Sequence, residues 1–324
     1  FFIRACKQCL SGNVSDCFNF QCVPANGHER VFTSINRQLP GPSIEVCEND
    51  MIVVDVLNEI EGSSTTIHWH GMPHNDSPFM DGVPFITQCP IYSGSKFRYT
   101  FRADKTGSFF YHSHSGHQKA NGLHGAIIVR TPKDQNAFEH VMVLSDWMHS
   151  MTENYFPGVK DDAYYPKSLL INGHGRQMGN LNDSLNTPLT VFHVLEGNTY
   201  KFRVIGATSD VCPVSIQIEG HNFTVVAADS INVKPFIADK LYASAGERFD
   251  ILVTANQGSK DKYWIKVSTI KPCENEFTVK EFAVMVYHRN GSFNEPKPKL
   301  MRFDEENPDD SVFTSIRVSI INFN

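Results

Sequence analysis

The chain has 324 residues, a net charge of −6 and 41% hydrophobic residues. This length is enough for two domains with separate cores, and the acidic balance argues against a nucleic-acid or anionic-membrane partner, because no basic excess exists to neutralise phosphates. No apolar run approaches the roughly 18 residues of a membrane span, and we expect any signal peptide to have been removed already, since no apolar segment follows the first residues.

Cysteines and glycosylation sequons together favour a secreted glycoprotein. The eight cysteines are Cys6, Cys9, Cys17, Cys22, Cys47, Cys89, Cys212 and Cys273, and the five sequons begin at Asn13, Asn75, Asn182, Asn222 and Asn290. An even cysteine count fits a set of disulfides, although the Cys6-x-x-Cys9 spacing alone could also be a zinc or redox motif. A single sequon is weak evidence, but five of them beside eight cysteines favour an oxidising, extracellular compartment.

The first half of the chain predicts a disulfide-stapled extension followed by a β domain. Residues 1–29 hold four of the eight cysteines and little periodic apolar pattern. From residue 30 to 133, short runs rich in β-branched and aromatic residues alternate with turn signals, which is typical of strands. The predicted strands are Ser43–Cys47, Met51–Leu57, Thr65–His70, Lys96–Phe101, Ser108–His112 and His124–Arg130.

A second β domain is predicted from 134 to 290, after a polar linker. Its predicted strands are His140–Ser145, Ser168–Asn172, Leu189–Val194, Thr199–Val204, Val214–Ile218, Arg248–Thr254 and Glu281–Tyr287. No long stretch has a helical period, so we predict an all-β fold of two antiparallel sandwiches in tandem. Residues 291–324 turn polar and proline-rich, which indicates an interdomain linker and the start of a further domain.

Two His-x-His motifs are the strongest chemical signal. His68-Trp69-His70 and His112-Ser113-His114 each direct two imidazoles to one face of a strand. Two such strands side by side would bring four imidazoles together, a donor set that suits Cu, Zn, Ni or Fe rather than Mg or Ca. Chance alone gives roughly 0.6 such motifs in a chain with this many histidines, so the metal hypothesis depends on the surrounding sequence.

The surrounding sequence resembles the laccases among the multicopper oxidases. The segments that carry the resemblance are Thr66-Ile-His-Trp-His-Gly71, Met80-Asp-Gly-Val-Pro-Phe-Ile-Thr-Gln-Cys-Pro-Ile91, Gly107-Ser-Phe-Phe-Tyr-His-Ser-His-Ser-Gly116 and Gly122-Leu-His-Gly-Ala-Ile-Ile-Val-Arg130. The cysteine-rich start and Leu39-Pro-Gly-Pro-Ser-Ile-Glu-Val-Cys47 are most similar to arthropod laccases, and Ile216-Gln-Ile-Glu-Gly-His-Asn-Phe-Thr224 resembles their middle domain. The resemblance implies two cupredoxin domains, each a plastocyanin-like Greek-key sandwich.

The resemblance also implies residue roles. His68 would bind the type 2 copper of a trinuclear cluster, and His70, His112 and His114 would bind the type 3 pair. Asp81 would deliver protons beside the type 2 copper, against the alternative that it is only a turn residue before a glycine. A disulfide between Cys89 and Cys212 would join the two domains. Trp69 and Ser113 would point away from the metals, and four further histidines are expected to be structural: His74, His117, His124 and His221.

The resemblance implies a third cupredoxin domain that this sequence does not contain. The remaining trinuclear ligands and the type 1 copper site would lie in that domain, and no His-Cys-His motif occurs here. A type 1 site needs a copper thiolate, which also weakens a two-domain laccase as an alternative. We therefore expect the amino-terminal part of an enzyme that oxidises phenols or diphenols and reduces dioxygen to water, inactive alone. The alternative is a secreted, non-catalytic double-cupredoxin protein with a binding or structural role.

Overall fold

The structure is a computed structural model that describes residues 23–28, 30–131, 134, 138–152, 166–176, 187–209, 212–270 and 278–289. Most of the predicted extension 1–29 and all of the predicted linker 291–324 lie outside these ranges, as do Asn13, Asn182, Asn290 and Cys273. Among the described residues, no helix has the length and apolar character to cross a membrane.

Nearly all of the regular secondary structure in the described residues is β-strand. A short 3-10 helix at Pro78–Met80 lies between β3 and β4. The strands are β1 Gly41–Cys47, β2 Met51–Leu57, β3 Ile67–His70, β4 Lys96–Arg102, β5 Gly107–Ser113, β6 His124–Arg130, β7 Glu139–Trp147, β8 Ser168–Ile171, β9 Val191–Leu195, β10 Thr199–Gly206, β11 Val214–Ile218, β12 Phe223–Ala228, β13 Ile231–Ala238, β14 Lys240–Ala243, β15 Arg248–Thr254, β16 Lys262–Thr269 and β17 Lys280–His288.

Strands β1–β6 form the first domain as a pair of facing sheets. One sheet has the order β1-β6-β5-β3, and the other pairs β2 with β4. β1 runs parallel to β6, and the other pairs are antiparallel. Period-2 alternation directs Ile52, Trp69, Tyr99, Phe101 and Phe109 into one apolar cluster between the sheets. Their burial fixes the register of the strands, because a slip of one residue would turn these side chains to solvent.

Strands β7–β17 form the second, larger domain. A six-stranded sheet has the order β13-β12-β15-β10-β7-β8, and a five-stranded sheet has the order β14-β11-β16-β17-β9. The core between them is lined by aliphatic and aromatic residues such as Phe202, Ile216, Ile251 and Met285, all fully buried. Two facing sheets in each half confirm the predicted all-β, tandem cupredoxin fold. The prediction of purely antiparallel pairing is wrong, since β1 with β6, β7 with β10 and β9 with β17 are parallel pairs.

The two domains meet at β5 and β6, the strands that lead into the metal motif. Phe110 and Ile128 of the first domain pack with Val143 and Ile205 of the second in a separate apolar cluster. Beside this cluster, the hydroxyl of Ser108 donates to Asp250 Oδ1 across 2.5 Å. The second domain is therefore packed directly against the strand that carries His112.

The predicted disulfide between Cys89 and Cys212 is wrong. Cys89 is an exposed free thiol. Cys212 is 2% exposed and disulfide-bonded to a different cysteine. A cysteine forms one disulfide at a time, so the free thiol of Cys89 and the bonded Cys212 cannot be partners in this structure.

Candidate metal centre

The two His-x-His motifs lie on neighbouring antiparallel strands, as the sequence predicted. In the pairing of β3 with β5, His68 is directly opposite His112, and His70 is opposite Phe110. Trp69, between the two histidines of β3, points the other way and is 1% exposed in the core. Strand alternation thus aims the imidazoles of both motifs at one side of the sheet.

Three of the four predicted ligands converge closely. One ring nitrogen from each of His68, His70 and His112 lies within 4.8 Å of the other two. His114 follows the end of β5 and is exposed, with its ring centroid 5.5 Å from that of His68. The structure therefore places a compact three-imidazole cluster next to a fourth, solvent-exposed imidazole, that of His114.

Asp81 fixes the orientation of His68. The Asp81 carbonyl accepts a hydrogen bond from His68 Nδ1 across 2.9 Å, and its carboxylate Oδ1 lies 3.2 Å from the same nitrogen. Because a carbonyl only accepts, Nδ1 carries the proton and Nε2 keeps its lone pair for a metal. Gly82 permits this approach: its φ is +87°, and a Cβ there would lie 1.8 Å from the carbonyl oxygen of Ile67.

His112 is oriented in the same way by its own strand. Its Nδ1 donates to the carbonyl of Ser113 across 2.9 Å, which leaves Nε2 as the acceptor. That Nε2 lies 3.3 Å from His70 Nδ1, so His70 faces the cluster through Nδ1. The Ser113 hydroxyl, in turn, bonds to Gln118 Oε1 across 2.7 Å, away from the cluster. Trp69 and Ser113 thus take the supporting positions that alternation predicted.

Burial keeps the imidazoles of His70 and His112 uncharged. Removal from water lowers the pKa of His70 to about 3, with a further contribution from the nearby Arg248 cation. Burial likewise lowers the pKa of His112 to about 2. Neutral imidazoles have the free lone pair that a cation needs, and they cost less to bury than imidazolium ions.

The remaining histidines near the motifs have structural surroundings. His124 is 1% exposed, with Nδ1 3.3 Å from the carbonyl of Lys119. His74 packs on the ring of Phe101 with centroids 4.8 Å apart. His221 belongs to the second domain, where its Nδ1 donates to the Glu219 carbonyl across 2.6 Å. None of these three joins the three-imidazole cluster of the described residues.

Sequence reasoning did not find the second domain's contribution to this centre. Arg248 Nε donates to the carbonyl of Ser108 across 3.2 Å, and Arg248 Nη1 donates to the carbonyl of Gly246 across 3.0 Å. Arg248 thereby ties a second-domain turn to the strand that carries His112. Arg248 and Ser108 are 140 positions apart in the chain, and no local pattern signals their contact.

Comparison with known proteins agrees with this geometry. Models described as "Multicopper oxidase" match residues 18–134 and 138–290. The chain belongs to the multicopper oxidase family. It is 32% identical over 266 residues to an L-ascorbate oxidase of Cucurbita pepo var. melopepo, which covers 75% of this chain and 48% of that protein. It is 35% identical over 258 residues to Laccase-5 of Trametes villosa, with 75% of this chain and 47% of that one covered.

A solved laccase has the same fold. The laccase from Botrytis aclada superposes with a TM-score of 0.72 at 27% sequence identity, over 88% of this chain and 53% of that chain. The chain therefore spans about half the length of the relatives it matches. Membership of the family implies copper, and the cluster fits it: borderline imidazole nitrogens are good ligands for copper and poor ones for Mg or Ca.

Proposed function

We propose that this chain supplies one half of the trinuclear copper centre of a laccase-type oxidase. The observation that carries the proposal is the convergence of three imidazoles within 4.8 Å on paired strands. Asp81 and Ser113 hold His68 and His112 with their Nε2 atoms toward that point, across 2.9 Å in each case. Such fixed tautomers are typical of metal-ligating histidines.

The ligand roles follow the resemblance to laccases. We assign His68 to the type 2 copper, and His70, His112 and His114 to the type 3 pair. The ring of His68 lies 5.5 Å from those of His70 and His114, and 5.3 Å from that of His112. These distances support a shared site rather than two separate ones. His70 would bind through Nδ1, since that atom faces His112.

A further cupredoxin domain would complete the centre. The chain spans about half the length of its relatives, and the segment from 79 to 92, which contains Asp81, has exposed apolar side chains. These side chains are Phe79, Phe85, Ile86 and Tyr92, with exposures of 73%, 85%, 82% and 67%. We propose that the third domain docks on this segment.

Copper bound there would supply the redox chemistry, one-electron oxidation of a phenolic reductant coupled to reduction of dioxygen to water. The residues of this chain would bind and orient the metal through His68, His70, His112 and His114. Asp81 would relay protons beside His68, where its carboxylate lies 3.2 Å from His68 Nδ1. We further propose that the protein is secreted, on the basis of its sequons and cysteines.

Copper titration tests the proposal. We expect the chain to bind Cu(II), and both His68→Ala and His112→Ala to reduce the bound copper by more than half. The control is His288→Ala in the second domain, where His288 Nε2 lies 2.8 Å from His193 Nδ1, a histidine pair remote from β3 and β5. Equal copper content in all four proteins would contradict the copper assignment and favour a non-catalytic double cupredoxin. Electron paramagnetic resonance of the bound Cu(II) would report nitrogen ligands directly.

A further inference from the structure

Arg248 of the second domain is a buried cation beside the three-imidazole cluster. It is 5% exposed and lies at the start of β15. Its guanidinium packs on the backbone of Gly71, the residue that follows His70, because a Cβ on Gly71 would overlap Arg248 Nη2 and lie 3.0 Å from Cζ. Among the charged groups of the described residues, Arg248 has the largest electrostatic effect on the imidazole of His70. The charge of Arg248 therefore acts at the cluster from the second domain.

Two hydrogen bonds and an ion pair hold the guanidinium in this place. Nε donates to the carbonyl of Ser108 on β5, and Nη1 donates to the carbonyl of Gly246. Nη1 also pairs with Asp229 Oδ1 across 2.9 Å. These partners keep the guanidinium at the domain junction, and an arginine keeps its proton even when it is buried. A positive charge is therefore a fixed part of the surroundings of the cluster.

The ion pair of Arg248 with Asp229 is oriented. Nη2 lies against Gly71, whereas the Asp229 carboxylate is bound to Nη1 and its side chain is 53% exposed, against 6% for the side chain of Arg248. Water screens the charge of an exposed carboxylate more than that of a buried guanidinium. Two further carboxylates act on Arg248 more weakly, those of Asp250 and Glu247. The pair therefore presents its cationic end to the cluster and its anionic end to solvent.

We propose that Arg248 shifts the Cu(II)/Cu(I) equilibrium of copper bound at this cluster toward Cu(I). The inference rests on the proposed copper-binding function of the centre. Reduction of Cu(II) takes up one electron and removes one unit of positive charge, so a fixed cation repels the oxidised ion more than the reduced ion. Because Arg248 is buried, water screens this difference less than it would at the surface. The second domain, which supplies none of the proposed ligands, thus raises the reduction potential of a centre built on the first.

The ratio of two copper affinities tests the proposal. The Kd for Cu(II) divided by the Kd for Cu(I) reports the reduction potential of the bound copper, with about 59 mV for each factor of ten. Competition with chelators selective for each oxidation state measures both constants on the 324-residue chain, with Cu(I) kept under anaerobic conditions. We expect Arg248→Gln to lower this ratio about tenfold, because the repulsion that favours Cu(I) is lost. A purely structural role of Arg248 would change both constants by similar factors and leave the ratio unchanged.

Two further variants separate charge from contact. Arg248→Lys keeps the cation but loses the planar fork that reaches Ser108 and Gly246, so both affinities should fall while their ratio stays within about threefold of the wild type. Asp229→Asn removes the compensating anion, keeps an Oδ1 acceptor and tolerates the left-handed φ of +48° at this position. It should raise the ratio, the opposite of Arg248→Gln, and by a smaller factor because the carboxylate is half exposed.

The matched controls are Arg98→Gln and Asp55→Asn, since these residues form an arginine–aspartate pair across 2.7 Å on the exposed side of β2 and β4. Both should leave the ratio unchanged. Copper binding with an unchanged ratio in Arg248→Gln, or an equal fall in Arg98→Gln, would overturn the inference and leave the copper assignment intact. Absence of copper binding by the wild type would contradict both. If Arg248→Gln does not fold, Asp229→Asn decides, and a ratio that does not rise overturns the inference.

Discussion

Gly246 of the second domain lies directly against the imidazole of His70 in the first. A Cβ on Gly246 would be 2.9 Å from His70 Cε1 and 3.1 Å from His70 Nε2. His70 faces the imidazole cluster through its other nitrogen, Nδ1, which is 3.3 Å from His112 Nε2. The turn of the second domain therefore packs against the back of the His70 imidazole, a proposed copper ligand of the first domain, and limits the positions that this ring can take.

Substitution of Gly246 by alanine should weaken copper binding. The added methyl group would push His70 away from its place, and supporting contacts to ligating histidines are worth about 10- to 100-fold in metal affinity. The matched control is Gly197→Ala, because Gly197 has the same φ of +87° but nothing within 4 Å of its Cβ. Both variants have the same backbone strain, so only the contact differs. Competition titration with a copper chelator measures the two affinities, and equal values would refute the role of Gly246.

Much of the fold could be predicted from the sequence, because period-2 alternation is a local signal. Predicted strands Met51–Leu57, His124–Arg130, Val214–Ile218 and Arg248–Thr254 have the observed bounds. Four strands were not predicted: β12, β13, β14 and β16. β16 does alternate, with Tyr263, Ile265 and Val267 buried, and that pattern could have revealed it. β13 could not be found in this way, since most of its residues are exposed and Pro235 interrupts it.

The candidate site also has parts that local sequence patterns predict and parts that they do not. The convergence of His68, His70 and His112 follows from two short motifs on paired strands, and strand geometry is enough to anticipate it. The contacts of Gly246 and Arg248 with the first domain depend on how two domains pack, which no single motif encodes. The incorrect Cys89–Cys212 pairing has the same origin, because disulfide connectivity is a property of tertiary structure.

The buried ion network at the domain junction should be sensitive to the loss of one partner. Arg203 is 1% exposed, with Nη1 3.2 Å from Asp250 Oδ2 and Nη2 2.8 Å from Glu139 Oε2. Asp250→Asn would leave the buried guanidinium with less compensating charge, and we expect a loss of about 3 kcal/mol in the free energy of unfolding. Urea denaturation measures this loss.

The control for that variant is Asp55→Asn. Asp55 pairs with Arg98 on the surface, with Oδ1 2.7 Å from Arg98 Nε, and water screens this pair. The unfolding midpoint should change much less than in Asp250→Asn. Similar losses in the two variants would mean that the junction network contributes no more than a surface ion pair.

Glu281 should make the second domain less stable as the pH rises. Burial raises the pKa of its carboxyl from 4.5 to about 8, although its oxygens accept from the backbone amides of Phe282 and Arg176 across 2.8 Å and 2.5 Å. Between these two values the folded protein holds a proton that the unfolded chain has released. The stabilisation that protonated Glu281 contributes is therefore complete below its pKa in the unfolded chain. It is lost as the pH rises through its pKa in the folded protein.

Glu281→Gln should flatten this pH dependence, since glutamine imitates the protonated acid at every pH. Urea denaturation at about pH 5 and about pH 8 gives the free energy of unfolding at each pH. The difference between the two free energies should be smaller in the variant than in the wild type, by an amount on the order of a few kcal/mol. Glu59→Gln, at an exposed loop position, is the control and should keep the wild-type slope. If the pH dependence of the unfolding free energy is unchanged in Glu281→Gln, that dependence comes from other titrating groups.

Two of the sequons are placed where a glycan can be attached. Asn75 and Asn222 are both exposed, and the amide of Asn75 makes only a long hydrogen bond of 3.3 Å to Asp104. In protein from a eukaryotic secretory pathway, we expect sugar at both positions. Asn75→Gln and Asn222→Gln should each increase gel mobility by one glycan, and glycosidase treatment should abolish these differences. Mobility unaffected by glycosidase would contradict the proposed secretion.

The 324-residue chain by itself should bind copper without turning over a substrate. Its sequence contains no His-Cys-His motif, and a type 1 copper needs a thiolate for its redox potential and its blue colour. His68, His70 and His112 would provide only part of each copper's ligand shell, so the affinity should be low. We therefore expect no absorbance band at about 600 nm and no oxygen uptake with a diphenol after copper reconstitution.

A comparison of the chain with its histidine variants tests this expectation directly. Under the proposal, His68→Ala and His112→Ala change the metal content and leave the rate of diphenol oxidation at the level of free copper, the same as for the wild type. Sustained turnover by the wild type that is lost in His112→Ala would contradict this expectation. Electrons would then reach the histidine cluster without a type 1 copper motif. An oxygen electrode and atomic absorption on the same samples measure both quantities. The two readouts separate a half-site that only binds copper from a complete oxidase centre.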